Sequence, residues 1–273
     1  MRLLLVRNLW GVVGAWEEVF PLIAKNGYVG IESAVPRAED RARFSTLLER
    51  HGFGYIPQIF TTGKDVQEHI QSFRQQTEDV AKFKPLMINS HSGNDGFREA
   101  DADRFFTEAL RIEQSAGIQV VHETHRGRIL YNPWTTQRLV DRFAALKLCA
   151  DFSHLVCVCE PLLQEDIIRQ CAPRCVHVHA RVGYEEGPQV SNPRAPEYRP
   201  HLEAHEKWWR WIWEAQAAQG AEAVTLTPEF GPPQYLHTLP YTNGPVADLR
   251  EICDWQARRQ ATNFAECSRS DRT

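Results

Sequence analysis

This chain has no excess of positive charge: 31 Lys and Arg stand against 35 Asp and Glu, a formal net charge of −4. That balance supplies no electrostatic pull toward a nucleic-acid backbone or an anionic membrane surface. No apolar run approaches the length of a bilayer span. The apolar start is interrupted by Arg7 and Asn8. It lacks the cleavage region of a secretory signal and reads as a buried first strand. None of the seven cysteines forms a Cys-x-x-Cys pair. Their odd number and their placement in apolar runs point to reduced, buried thiols. Cys157 and Cys159 have no second pair to complete a soft-metal site, so packing is their reading. No Gly-x-Gly-x-x-Gly loop follows a strand, which removes the dinucleotide-binding signature. The expectation is a soluble, cytoplasmic protein with neither nucleic-acid nor membrane partners.

What the chain does have is core-forming residues and alternation. Hydrophobic residues make up 42% of it, with 8 Trp and 13 Phe, ample for one large core. Its 273 residues suit a single α/β barrel. Short apolar runs predict strands at residues 2–7, 28–32, 55–60, 86–90, 119–123, 148–151, 175–179 and 223–226. Amphipathic stretches predict helices at 15–25, 37–51, 64–83, 101–116, 133–146, 161–170, 201–219 and 246–262. Pro133 suits a first helical turn. Eight β-then-α units imply a parallel sheet closed into a (β/α)8 TIM barrel, one domain over residues 1–263 with a flexible tail over 264–273. An open doubly wound sheet fits the strand count less well. The irregular stretch 183–200 is long enough to be functional and is expected over the barrel mouth as a lid. A second loop, 231–245, is stiffened by Pro232, Pro233, Pro240 and Pro245.

Four successive strand ends carry a metal-ligating side chain: Val120-Val121-His122-Glu123, Leu148-Cys149-Ala150-Asp151, Val176-His177-Val178-His179 and Thr225-Leu226-Thr227-Pro228-Glu229. Strand C-termini are where a (β/α)8 barrel builds its active site. Taken singly, each residue has an ordinary explanation. Glu123 could pair with Arg126 or Arg128, Asp151 could cap a turn, and Glu229 sits between backbone-fixing Pro228 and Gly231. His122-Glu123-Thr124-His125 is not the His-Glu-x-x-His of a zincin. His177 and His179 alternate and so share a strand face. Four such ends in succession favour joint ligation of one hard or borderline divalent cation, Mn, Co, Mg or Zn.

These segments resemble the xylose-isomerase-like TIM barrels, the sugar phosphate isomerase/epimerase group. The resemblance also rests on Gly27-Tyr28-Val29-Gly30-Ile31-Glu32, His91-Ser92-Gly93, Asp151-Phe152-Ser153-His154 and His177-Val178-His179, in barrel order over essentially the whole chain. It implies that Glu123, Asp151, His179 and Glu229 hold one divalent ion. It implies that Glu123 and Glu229 also move the proton, from opposite faces of the substrate, through a metal-stabilised enediolate. His154 and His177 would then contact substrate oxygens together with Arg181, and His91 ends the fourth strand. The expected activity is isomerisation or epimerisation of a small sugar, sugar acid or keto-polyol.

The chain departs from the ketose epimerases of that group. Ile129 and Leu130 stand where those enzymes carry a further Glu, and Arg181 comes earlier than their substrate-binding Arg. Arg126, Arg128 and Arg181 could instead read a substrate carboxylate or phosphate, or pair with surface acids. Trp10 and Gln58 are expected to line the pocket, and Glu32 either lines it or serves as an ion-pair partner. Trp208, Trp209, Trp211 and Trp213 read as packing or a subunit contact, a weak pointer to a homodimer. His201 and His205 read as a solvated helix face. The alternatives are a metal-dependent lyase or hydrolase of the same superfamily, including an apurinic-endonuclease-like phosphodiesterase, and an inactive binding module. The endonuclease needs a further Asp-x-His after the seventh strand that residues 183–200 lack, and the negative charge disfavours a DNA groove.

Overall fold

A computed structural model describes residues 1–159 and 165–270. Eight parallel strands close on themselves in sequence order: β1 Arg2–Asn8, β2 Gly30–Ala34, β3 Gly54–Phe60, β4 Ile88–His91, β5 Val120–Glu123, β6 Leu148–Ala150, β7 Cys175–His179 and β8 Ala223–Thr227. The ring is sealed by β1 against β8, with Leu3 beside Val224 and Leu5 beside Leu226. The outer helices are α1 Trp16–Lys25, α2 Arg41–His51, α3 Val66–Val80, α4 Glu99–Ala116, α5 Pro133–Arg142, α6 Phe152–Cys159, α7 Glu165–Cys171, α8 Arg199–Ala218 and α9 Leu249–Ser270. The expected (β/α)8 barrel is the observed fold.

The inward side of each strand changes character along its length. Val6, Ile56, Met87, Val121 and Cys149 pack together in the lower barrel. Two residues further along the same strands stand Asn8, Gln58, Asn89, Glu123 and Asp151, all buried. Because side chains alternate with a period of two, one inward face runs from apolar to polar toward the C-terminal end. The fold therefore delivers a polar cluster to the mouth of the barrel.

Helix ends follow local chemistry. Asp65 caps α3 by accepting from Glu68 N at 2.9 Å, and Asn132 caps α5 by accepting from Thr135 N at 2.8 Å. Pro133 occupies the first turn of α5, as expected. That helix stops at Arg142 rather than 146, because Phe143 adopts an extended backbone (φ −114°, ψ 92°). Between β6 and β7 there are two helices, α6 and α7, where one was expected at 161–170. Residues 161–164 of that expectation lie outside the described residues.

The aromatic helix α8 is not an exposed surface. Trp208, Trp209 and Trp213 are fully buried in the core, and Trp211 takes cationic contacts from Arg169 and Lys207. The packing reading holds for Trp208, Trp209 and Trp213. His205 is also buried rather than solvated. It accepts from Gly183 N at 3.3 Å and donates to His201 O at 2.8 Å. The boundary expected at residue 263 does not end the fold. Helix α9 continues to Ser270, with Phe264 edge-on to Trp213 at 5.3 Å and Cys267 buried. Glu206 of α8 binds α9 through Arg259 at 2.6 and 2.8 Å, Gln260 at 2.7 Å and Asn263 at 2.9 Å. Residues 271–273 of the expected tail lie outside the described residues. Among the described residues no helix is long and apolar enough to cross a membrane.

Candidate metal centre

Glu123, Asp151, His179 and Glu229 meet at the barrel mouth, each offering one ligand atom within 4.8 Å of all the others. All four are buried. His179 Nδ1 lies 3.0 Å from Glu229, 3.7 Å from Glu123 and 3.8 Å from Asp151. Donors about 2.0–2.2 Å from one ion stand at such mutual separations. His179 Nδ1 and Glu123 Oε1 are buried without a hydrogen-bond partner. Two unpartnered lone-pair atoms in one buried anionic cluster fit a cation, and three oxygens with one nitrogen fit a hard or borderline divalent one.

The ligand side chains are held from behind. Glu32 is fully buried. Its carboxylate accepts from His179 Nε2 at 2.9 Å, His177 Nε2 at 3.1 Å, Thr227 Oγ1 at 2.6 Å, Asn89 Nδ2 at 3.1 Å and Gln58 Nε2 at 3.2 Å. Burial would push the Glu32 carboxyl up, but His179 and His177 hold it well below the usual carboxylate range. With Nε2 of His179 donating to Glu32, Nδ1 faces the other carboxylates. Asn8 Nδ2 donates to Glu229 at 2.6 Å, Asn89 Nδ2 to Glu123 at 2.7 Å, and Ser153 Oγ to Asp151. Burial raises the Glu123 carboxyl, but His91 and His179 outweigh it and keep the group below its ordinary value. Burial lowers His179, yet Cys149 and the carboxylates of Glu229, Glu32 and Glu123 raise it well above an ordinary imidazole.

Above this centre opens a cavity of about 460 Å³ walled by Trp10, Trp16, Phe60 and Tyr235. Of the four clustered ligands only Glu123 and Glu229 line it; Asp151 and His179 stand behind. Trp10, Gln58, His91 and Arg181 line it as expected of substrate contacts. Gln58 also donates to Glu229 at 3.3 Å, and His91 Nε2 lies 3.0 Å from Glu123. Trp10 packs edge-on to Tyr235 at 4.9 Å. Its place requires Gly231, where a Cβ would come within 2.2 Å of the indole.

Three residues expected at the substrate are elsewhere. His177 lies one layer deeper, between Thr225 Oγ1 at 2.7 Å and Glu32, and does not reach the cavity. The shared face of His177 and His179 is real, but strand rise puts the earlier residue below the later one. His154 is fully buried behind His125, at a ring separation of 3.8 Å, with Arg181 Nη2 at 2.7 Å from its Nε2. Arg126 is exposed, its guanidinium 5.2 Å from the Tyr235 ring, outside the cavity lining. Arg181 itself is fully buried and pairs with Asp151, and it lies 3.4 Å from Glu229. It serves first as a counterion to the cluster.

Sequence reading missed Asn8, His125 and Tyr235 at the cavity, while Arg128, expected as a reader of a substrate carboxylate or phosphate, does line it. Asn8 had a signal, as the polar end of an apolar strand, and His125 had one in its spacing from Glu123. The stretch 183–200 does not line the cavity. Gln189 ties it to the following loop, donating to Gly231 O at 3.1 Å and accepting from Gly231 N at 2.6 Å.

The fold is a (β/α)8 barrel with a buried group of side chains at its mouth that could hold a metal ion. A family model described as xylose isomerase-like TIM barrel matches residues 20–196, and the chain belongs to that family. Solved structures share the fold at low identity. The probable 3-DHS dehydratase AsbF, involved in petrobactin synthesis in Bacillus anthracis, is 15% identical, with TM-score 0.61 over 94% of this chain and 98% of that one. The 3-keto-D-glucoside 4-epimerase YcjR from E. coli is 11% identical, with TM-score 0.61 over 96% and 100%. A family 2 AP endonuclease from Brucella melitensis is 16% identical, with TM-score 0.59 over 93% and 98%. No curated protein matches the chain in sequence.

Proposed function

We propose that this protein is a divalent-metal-dependent isomerase or epimerase of a small sugar-like substrate, working by proton transfer between Glu123 and Glu229. The observation that carries this reading is the buried set Glu123, Asp151, His179 and Glu229, with unpartnered atoms on His179 and Glu123 and only the two glutamates reaching the cavity. Asp151 and His179 would hold the ion from behind, and Glu123 and Glu229 from the substrate side. A bound divalent cation supplies Lewis acidity to neighbouring substrate oxygens and so acidifies the C–H between them.

The remaining work falls to the chain. Glu123 is held ionised by His91 and His179, the form that accepts a proton. Glu229 is oriented by Asn8 and Gln58 and returns a proton from its own side of the cavity. Removal by one ionised carboxylate and return by the other, which begins protonated, inverts a carbon; return to the neighbouring carbon, with one proton passing between the two substrate oxygens, isomerises the sugar. Trp10, Trp16, Phe60 and Tyr235 limit water at the reacting carbon and offer faces to a carbon skeleton. The epimerase YcjR, of the same fold, makes a sugar-like substrate a reasonable screen.

Two measurements test the reading: metal content of wild type against Glu229→Gln, and incorporation of solvent deuterium into a ketose library. One ion per chain, lost in the variant, with exchange at a carbon beside a carbonyl, is the expected result. Absence of any ion after reconstitution sinks the metal centre. Exchange accompanied by loss of water moves the assignment to a lyase.

A further inference from the structure

Among the described residues the cavity carries a cation with no carboxylate in contact. Arg128, just past β5, lines the cavity together with His91 and Glu123. Its Nη1 donates to Thr61 O at 3.1 Å and to Gly93 O at 3.2 Å. Those two carbonyls follow β3 and β4 and are themselves fixed. Thr61 Oγ1 accepts from Gly93 N at 2.7 Å and lies 2.9 Å from His69 Nδ1. Gly93 has φ +61°, and a Cβ there would come within 2.3 Å of Ile129, so the Arg128–Ile129 segment seats only over glycine. One guanidinium nitrogen is thus committed to the scaffold, while Nη2 and Nε keep their donors.

No described carboxylate pairs with this guanidinium; Glu123 and Asp95 act on it only at a distance. Burial lowers it from its ordinary value, as for a cation partly stripped of water without an anion in contact. Its two neighbours in sequence reading differ: Arg181 is taken by Asp151, and Arg126 stands over Tyr235.

We propose that Arg128 is the anion anchor of the cavity, and that the substrate is an acidic sugar-like molecule whose carboxylate or phosphate pairs with Nη2 and Nε. This rests on the proposed function for what happens at the other end of the substrate, where its carbon skeleton reaches Glu123 and Glu229. The planar guanidinium fork matches a carboxylate or a phosphate through two parallel hydrogen bonds. A neutral sugar would leave those donors desolvated and unpaired, which discriminates against it. The aromatic walls then take the C–H faces of the substrate, and the roughly 460 Å³ cavity is of small-molecule size.

The test uses the full chain, stripped of metal so that anions cannot bind an ion instead. Inorganic phosphate, D-fructuronate, D-fructose 6-phosphate and D-fructose are titrated calorimetrically into wild type, Arg128→Met, Arg128→Lys and Arg126→Met. The expected result is that the acidic sugars bind wild type roughly tenfold or more tighter than D-fructose. Arg128→Met should lose that preference, Arg128→Lys should regain part of it, and Arg126→Met should keep it. Preference for D-fructuronate over D-fructose 6-phosphate identifies a carboxylate, and the reverse a phosphate; either supports the anchor. Failure of every anion, inorganic phosphate included, to bind wild type overturns it, as does an Arg128→Met variant that binds them unchanged. Metal content reads the ligand cluster separately, so either inference can fail while the other stands.

Discussion

Replacing Glu32 by Gln removes the group that orients the imidazole of the proposed metal centre without replacing any of its four proposed ligands. Glu32 Oε1 accepts from His179 Nε2 at 2.9 Å, and Oε2 accepts from His177 Nε2 at 3.1 Å and Thr227 Oγ1 at 2.6 Å. An amide offers one oxygen in place of two, so at least one of these donors then faces an NH2. A histidine ligand that loses its carboxylate partner costs typically about 10–100-fold in metal affinity, equivalent to about 1.4–2.7 kcal/mol. That range agrees with the roughly 1.5–3 kcal/mol of one hydrogen bond to a charged group. Glu32→Gln should therefore bind Mn or Co some tenfold to a hundredfold more weakly, and Glu229→Gln more weakly still. Competition against a fluorescent chelator measures both, with circular dichroism melts of the metal-free proteins as the folding control. A folded Glu32→Gln variant within twofold of wild type would refute the orienting role.

Glu123→Gln and Glu229→Gln should each slow deuterium exchange into substrate by about 10²–10⁴-fold, the usual weight of a positioned acid or base; proton NMR of the exchanging carbon reads this directly. Gly231→Ala should push Trp10 out of place, because the added Cβ meets the indole at 2.2 Å. Overpacking of this kind costs about 1–3 kcal/mol, read as a drop of several degrees in Tm. His205, lowered to about 4 chiefly by burial, is neutral in the fold but takes a proton near pH 6.5 when unfolded. Its contribution is complete above about pH 6.5 and is lost as pH falls toward about 4, up to roughly 3 kcal/mol. Tm against pH should therefore show a shallower acid limb in His205→Gln, and coincident limbs would exclude the assignment.

The strands were legible because each is a short apolar run that turns polar at its end. Glu123, Asp151 and Glu229 are read from local sequence alone, since alternation and strand order suffice to place them, and Asn8 carries the same signal without being singled out as a site residue. Partners across the barrel were not legible. Glu32 stands 145 and 147 residues from the two histidines it holds, and only barrel closure brings them together. Arg126 and Arg128 look equivalent in sequence. A turn through Gly127, closed by Arg128 N to His125 O at 3.1 Å, sends one outward and the other into the cavity. Helix α8 bears out the packing reading for Trp208, Trp209 and Trp213, which lie in the core, although no periodicity distinguishes that from an exposed aromatic face. Its boundary with α9 depended on Glu206, whose four hydrogen bonds to α9 are visible only once the two helices are side by side.

The electrostatics of the ligand cluster make one further demand. Glu32, Glu123, Asp151 and Glu229 surround one point, offset by Arg181 and by the imidazoles of His179, His177 and His91. Burial opposes charge on His179, yet Cys149 and the carboxylates of Glu229, Glu32 and Glu123 raise it well above an ordinary imidazole, which favours a proton on Nδ1 beside Glu229 in the metal-free protein. Ligation through Nδ1 requires the neutral ring, because a protonated nitrogen has no lone pair to give. A divalent ion that takes Nδ1 is therefore expected to displace that proton, while the Nε2 proton stays directed at Glu32. Below the His179 pKa the apparent affinity then rises about tenfold per pH unit. Calorimetric titration of Mn into the metal-free protein, repeated in phosphate and in Tris, gives the proton count from the difference in buffer ionisation heat. A count near one ties the ion to His179. A count of zero, with the ion still bound, would place it on the carboxylates alone and leave His179 paired to Glu229 as an internal counterion.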